Sequence, residues 1–333
     1  MMLSELNLRP SQPIKNIAAS DIRDMKDFSA LIIGAGMSGI LMGIKLAERG
    51  IPFKIFEKNS SVGGTWADNT YPGCRVDIAN HFYSYSFEEN HQWSQYFSQQ
   101  PELEQYFQTC FDKYDLAGMT QFNTEVSAMT FDESSNLWSI QSINNGSEDS
   151  EEFNLVISCV GQLNQPKIPE INGLESFGGN IFHSARWPKD DQITGKKVAV
   201  IGSGASAFQI VPSIADKCNE LTVFQRSAPW MFPNPDYHRD VEDGKKWLLE
   251  NLPGYSRWYR FLLFWPGSDQ LLDSLFIDPE WQGGETSINE TNDQMRQIFT
   301  DAMLGQLQDK SLIPKVIPNY PPCLLYTSPS PRD

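Results

Sequence analysis

The sequence predicts an α/β protein built on two Rossmann-like units, the second with a helical insertion, and three observations carry that prediction. The first is an apolar run, Ala30-Leu31-Ile32-Ile33, that ends in glycines. An amphipathic stretch to about Arg49 and a second apolar run, Pro52-Phe53-Lys54-Ile55-Phe56, follow it. That order reads strand, turn, helix, strand. The second observation is another strand–glycine–helix pattern beginning at Lys197. The third is the stretch after Pro229, which is aromatic-rich and helical in pattern, with breaks at Pro253-Gly254 and Pro266-Gly267. The two glycine turns are the one internal repeat.

Between these units the periodicity changes. Thr124 to Phe131 and Leu137 to Ile143 alternate as strands, and Asn144-Asn145-Gly146 is a turn signal. Phe153 to Val160 is almost wholly apolar, so a buried strand is expected there. The expected organisation is an extension over residues 1–27, a first domain over 28–165, a linker over 166–195 and a second domain over 196–322. Residues 323–333, CLLYTSPSPRD, have no periodicity and read as a translated sequencing-library adapter, with a genuine C-terminus as the alternative. On the adapter reading the natural protein continues past Pro322 and both domains are incomplete.

With 333 residues, 40% of them hydrophobic and 20% charged, the chain has material for two cores. The net charge of −16 argues against nucleic acid or an anionic membrane as partner, since both require a basic face. It leaves anionic cofactors open, because local donors and helix ends hold those. Cys74, Cys110, Cys159, Cys218 and Cys323 form no C-x-x-C pair, and the four histidines are dispersed, so no metal site is expected. Reduced thiols in a cytoplasmic protein are the expectation. The first 26 residues lack the apolar core of a signal peptide. The run Trp258 to Trp265 is too short to span a bilayer and contains Arg260, so no stable membrane anchor is expected. Oligomeric state leaves no mark in the sequence.

Gly34-Ala35-Gly36-Met37-Ser38-Gly39 is G-x-G-x-x-G between strand and helix. Gly34 makes the tight turn, Gly36 admits a pyrophosphate to the backbone, and Gly39 lets helix and strand pack closely. The helix N-terminus then faces the phosphates. Glu57, ending the second strand, is placed to accept hydrogen bonds from ribose hydroxyls and to repel a 2′-phosphate, which suits FAD or NAD. Gly63-Gly64-Thr65-Trp66 reads equally as a close approach to a bulky cofactor, through Gly64, Thr65 and Trp66, and as a structural turn.

The second turn is Gly202-Ser203-Gly204-Ala205-Ser206-Ala207, with Ala207 in the third glycine's place. Gly202, Gly204 and Ser206 are its candidate cofactor contacts. The next strand ends in Gln225-Arg226-Ser227 rather than an acid. Arg226 offers charge-assisted bonds to a 2′-phosphate and Ser227 a hydroxyl, so NADPH is expected over NADH. Opposite polarity at the two ribose ends implies hydride transfer from NADPH to FAD.

Disulfide reductases that use such a pair of sites need paired redox cysteines, and none exists here. Between the turns, Phe177-Gly178-Gly179-Asn180-Ile181-Phe182-His183-Ser184-Ala185-Arg186-Trp187-Pro188 fits F-x-G-x-x-x-H-x-x-x-W-P. Tyr71-Pro72-Gly73-Cys74-Arg75-Val76-Asp77 and Ser158-Cys159-Val160-Gly161-Gln162-Leu163 precede it in the chain. These segments resemble the Baeyer–Villiger monooxygenases over about residues 28–322. Trp230 to His238, Trp258-Tyr259-Arg260-Phe261 and the N-terminal extension resemble the 4-hydroxyacetophenone monooxygenase branch.

The resemblance implies FAD and NADPH as cofactors, and a ketone and O2 as substrates, with one oxygen atom inserted beside the carbonyl to give an ester or lactone. Aryl or cyclic ketones are the expected substrates. It implies that Asp77 lies at the flavin and holds a catalytic arginine, that Gln162 faces the flavin, and that His183 couples the domains. Direct chemistry and a structural role both stay open for His183. The arginine normally follows a segment that Asn319-Tyr320-Pro321-Pro322 begins, so it is expected beyond residue 322. An N- or S-oxygenating flavoprotein, against which Trp187-Pro188 argues, and an inactive cofactor-binding fragment are the alternatives. The aromatic stretch over residues 236–300 reads as a substrate tunnel or cap, or as a core-packing helix pair.

Overall fold

The computed structural model describes residues 28–322; the N-terminal extension and the adapter-like tail lie outside them. The chain forms two compact units that do not follow chain order. One holds the described residues up to Thr70 with Ser84–Asn90 and Gln99–Pro166; the other holds Tyr71–Tyr83, His91–Ser98 and the described residues from Lys167.

In the first unit β1 (Ala30–Ile33) leads through a glycine turn into α1 (Met37–Ala47), and β2 (Phe53–Phe56) follows. Next come the single turn α2 (Thr65–Asp68), α3 (Gln100–Lys113) and the short β3 (Thr120–Gln121). Helix α1 buries Gly39, Ile40, Gly43, Ile44 and Leu46, the stripe that a period of 3.6 residues creates. Helix α3 buries Leu103, Tyr106, Phe107, Cys110 and Phe111 by the same spacing. An antiparallel meander of β4 (Thr124–Asp132), β5 (Leu137–Asn144) and β6 (Ser147–Phe153) precedes β7 (Leu155–Ser158). The parallel sheet runs β3-β2-β1-β7, and its β1 carries the first glycine turn at its C-terminal end. Leu31 and Phe56 from that sheet form a core with Ile140 and Phe153 from the meander.

Two expectations change here. The strand expected over residues 153–160 is divided: Phe153 ends β6, 2% exposed, and β7 is only Leu155–Ser158. It is also not buried, since Leu155 is 40% and Val160 46% exposed. As the end strand of the sheet, β7 pairs with β1 alone. Strand β6, Ser147–Phe153, was not expected because its residues before Phe153 are all polar. The turn does what propensity left undone: Asn145 and Gly146 take φ of 47° and 86°, the left-handed pair that closes a two-residue hairpin.

In the second unit β8 (Lys197–Ile201) and β9 (Glu220–Phe224) pair in parallel around α4 (Ala205–Ile214). The helices α5 (Asp243–Asn251), α6 (Tyr255–Gly267), α7 (Glu290–Gln306) and α8 (Ile313–Val316) come after them. Gly254, at φ 78°, separates α5 from α6 as the sequence predicts, whereas Pro266-Gly267 form the last two residues of α6. The segments Tyr71–Tyr83 and His91–Ser98 pack with these helices. Asn80 holds them together: its Nδ2 donates to Gln95 O and Ser98 Oγ, both at 2.6 Å, while its Oδ1 accepts from Ser98 N at 2.8 Å.

Candidate functional site

The two glycine turns have the same local geometry. Gly34 has φ 98° and Gly202 φ 116°, values that only glycine adopts without strain. Each donates its N–H at 2.8 Å to the last carbonyl of the following strand, Phe56 O for Gly34 and Phe224 O for Gly202. Gly36 and Gly204 then sit in extended backbone as the N-caps of α1 and α4, with no side chain occupying the cap. Neither helix has an acid in its first turn, so both positive helix ends are open to an anion.

The first turn is the more tightly built. A Cβ on Gly39 would lie 1.8 Å from Gly34 O, so the helix approaches the turn as only glycine permits. The Gly63-Gly64 backbone closes over it: Gly63 N donates to Ala35 O at 3.1 Å, and a Cβ on Gly64 would lie 3.0 Å from Gly36 Cα. Thr65 is exposed at the start of α2, and Trp66 is buried. Glu57 is 4% exposed, with Oε2 accepting from Ala35 N at 2.7 Å and Oε1 from Asn59 N at 2.8 Å. Each oxygen keeps a second lone pair, so the carboxylate braces the turn and still has acceptor capacity for ribose hydroxyls. A glycine-rich cradle, an open helix end and a buried acid fit a dinucleotide without a 2′-phosphate.

The second turn carries different chemistry. Gln225, the first residue after β9, is neutral, and its Nε2 donates to Lys315 O just before Arg226 and Ser227. Both Arg226 and Ser227 are exposed. Ser203 Oγ donates to Ser227 O at 3.1 Å, tying the turn to the loop that would meet a 2′-phosphate. A cation in place of the first site's acid fits a phosphorylated ribose. The loop is held from behind, where Trp230 Nε1 donates to Tyr320 O at 2.8 Å and Tyr320 OH to Ala228 O at 2.7 Å.

The remaining predicted residues are distributed over both units. Gln162 is exposed in the first, and Asp77 is exposed in the second. His183 is half-buried in the second unit and acts there as a cap. Its Nδ1 accepts from Ala185 N at 3.1 Å and closes the short turn Ser184–Arg186. Burial, with Arg186 as a lesser cause, holds its pKa below the usual imidazole value.

Sequence reasoning missed the polar knot beneath Asp77. Gln209 on α4 is buried, and its amide bonds Tyr71 OH, Arg75 N, Arg75 O and Tyr237 OH. Arg75, 9% exposed, donates Nη1 to Tyr237 O at 2.8 Å and stacks over the Tyr237 ring. Desolvation lowers the Arg75 pKa and pushes the Cys74 thiol up to about 11. The available signal was a long polar side chain on the apolar face of a predicted helix.

Comparison with known proteins bears on these turns directly. Residues 28–247, which include both, match the model of the flavin-binding monooxygenase-like family. The chain belongs to that family. Among its family relatives, the uncharacterized monooxygenase y4iD of Sinorhizobium fredii is 40% identical over 89% of this chain and 45% of its own length. A Baeyer–Villiger monooxygenase of Pseudomonas aeruginosa is 37% identical over 87% of this chain and 52% of its own. The chain therefore spans about half the length of these curated relatives. Among solved structures, OTEMO in complex with FAD and NADP matches with a TM-score of 0.72 at 28% identity, covering 88% of this chain and 60% of that one. The expected α/β class with Rossmann-like domains is thus borne out, and so is the resemblance to Baeyer–Villiger enzymes.

Proposed function

We propose that this flavin-binding monooxygenase-like chain binds FAD at the turn over Gly34–Gly39 and NADPH at the turn over Gly202–Ala207. The enzyme it belongs to then acts as a Baeyer–Villiger monooxygenase on aryl or cyclic ketones, with residues 28–165 and 196–322 as the two cofactor domains. The observation that carries the reading is the pair of matched turns with opposite ribose ends, Glu57 at one and Arg226 at the other. The likeness to relatives called Baeyer–Villiger monooxygenases and to a structure holding FAD and NADP supports the same assignment.

When bound, the two cofactors supply the hydride and the ring that activates O2. The chain's own residues bind and orient. The N-termini of α1 and α4 each take a pyrophosphate. Glu57 accepts from ribose hydroxyls, and Arg226 with Ser227 takes the 2′-phosphate. Gly64, Thr65 and Trp66 would hold FAD beside the first turn, and Ser206 would hold NADPH at the second. Asp77 presents a carboxylate for a cationic side chain, and Gln162 an amide at the flavin. His183 fixes the linker turn that joins the two domains.

Product analysis tests the reading. A polypeptide that includes this chain at the length of its relatives is supplied with FAD, NADPH, isotopically labelled O2, and a ketone beside an amine and a thioether. An ester or lactone carrying one labelled oxygen is expected. Labelled N-oxide or sulfoxide with untouched ketone selects N- or S-oxygenation instead, and absence of cofactor binding overturns the assignment altogether.

A further inference from the structure

Helix α4 begins at the second glycine turn, and the Tyr71–Asp77 segment lies along it. The fit is close. Gly73, at φ 80°, has room for no side chain, since a Cβ there would meet Ser213 Oγ at 2.1 Å and Gln209 O at 2.6 Å. Gln209 uses its whole bonding capacity on the segment and its neighbour. Tyr71 OH and Arg75 N donate to Oε1 at 3.0 and 3.4 Å, while Nε2 donates to Arg75 O at 2.9 Å and to Tyr237 OH at 2.7 Å. An amide offers two donors and two acceptor lone pairs, so none is left over. Burying it is costly unless every bond is made, and an apolar residue would pack a helix face at less cost. A buried amide satisfied at all four positions specifies one arrangement of the groups it joins.

We propose that Gln209 is a positioning residue that ties occupancy of the second glycine turn to the conformation of the Tyr71–Asp77 segment. The inference rests on the reading that this turn binds NADP. A ligand that orders Gly202–Ser206 orders the first turn of α4, and Gln209, one turn further along, passes that order to Tyr71 and Arg75. Asp77, two residues beyond Arg75, is thereby held in one place while the turn is filled.

Amide hydrogen exchange on the full chain, with and without NADP+, tests this, because Arg75 N–H is itself one of the bonds. In the unsubstituted protein NADP+ is expected to slow exchange over residues 71–77 by about fivefold or more. In Gln209→Met, which keeps the shape and loses the bonds, that slowing is expected to vanish. NADP+ affinity falls by the same factor, as reciprocity of coupling requires. Tyr237→Phe, which removes one partner only, is expected to lose part of the effect and serves if Gln209→Met does not fold. Persistence of the NADP+-dependent slowing in Gln209→Met or undiminished in Tyr237→Phe overturns the proposal. So does its absence from an unsubstituted chain that binds NADP+. A chain whose direct titration shows no NADP+ binding fails the cofactor reading itself, and the inference falls with it.

Discussion

Single atoms decide the two ribose ends and the tightness of the first turn. Because a Cβ on Gly39 would lie 1.8 Å from Gly34 O, Gly39→Ala must push α1 away from β1. Overpacking of this kind costs about 1–3 kcal/mol. The expected outcome is a lower melting temperature and weakened FAD binding, checked by thermal denaturation and FAD titration. Arg226→Ala should cost about 1.5–3 kcal/mol of NADP+ affinity, roughly ten- to a hundredfold, and leave NAD+ affinity unchanged. Paired titrations with the two nucleotides check it. Glu57 and Arg226 were legible because a strand's last residues are fixed by its apolar pattern. Gln209 was marked only as a long polar side chain on an apolar helix face, and its partners Tyr71 and Arg75 lie more than a hundred residues away, so the local pattern could not say what it bonds.

Among elements, the contact of α6 with the turn around His81 carries a pH dependence. The His81 ring lies 5.3 Å from the Tyr259 ring and 6.3 Å from that of Tyr96, and Arg260 Nη1 donates to the His81 carbonyl at 2.9 Å. Burial first, then the charges of His91 and Lys245, pushes its pKa down from 6.5 to about 4. The unfolded chain therefore binds the proton more readily. The contribution of neutral His81 is fully present above pH 6.5 and is lost as pH falls towards about 4, amounting to roughly 3 kcal/mol at most. His81→Phe should flatten this slope in denaturant titrations run across that range. A steep slope retained by the variant would assign the effect to other groups. The elements themselves were legible where apolar spacing was strong, as in β1, α1 and β8. The polar β6 and the half-exposed β7 were not, because pairing and position in the sheet, rather than composition, determine them.

At the scale of the whole molecule, the chain crosses between its compact units repeatedly. Tyr71–Tyr83 and His91–Ser98 belong with the residues from Lys167 onward. A fragment beginning at Lys167 therefore lacks the Tyr71 and Arg75 partners of Gln209, the Tyr96 partner of Glu242 and the Gln95 partner of Asp240. Such a fragment should melt lower than the full chain, or fail to fold, by circular dichroism. Chain order gave no sign of this interleaving, since long-range packing of short irregular segments leaves no periodicity to read. The two glycine turns, by contrast, are local motifs, and the proposed chemistry requires them to be separate sites. Titrating the full chain with FAD, and the FAD-loaded chain with NADP+, tests that most directly. Both ligands should bind together without displacing one another. Competition between them for one site, or binding of neither, would contradict two separate cofactor sites.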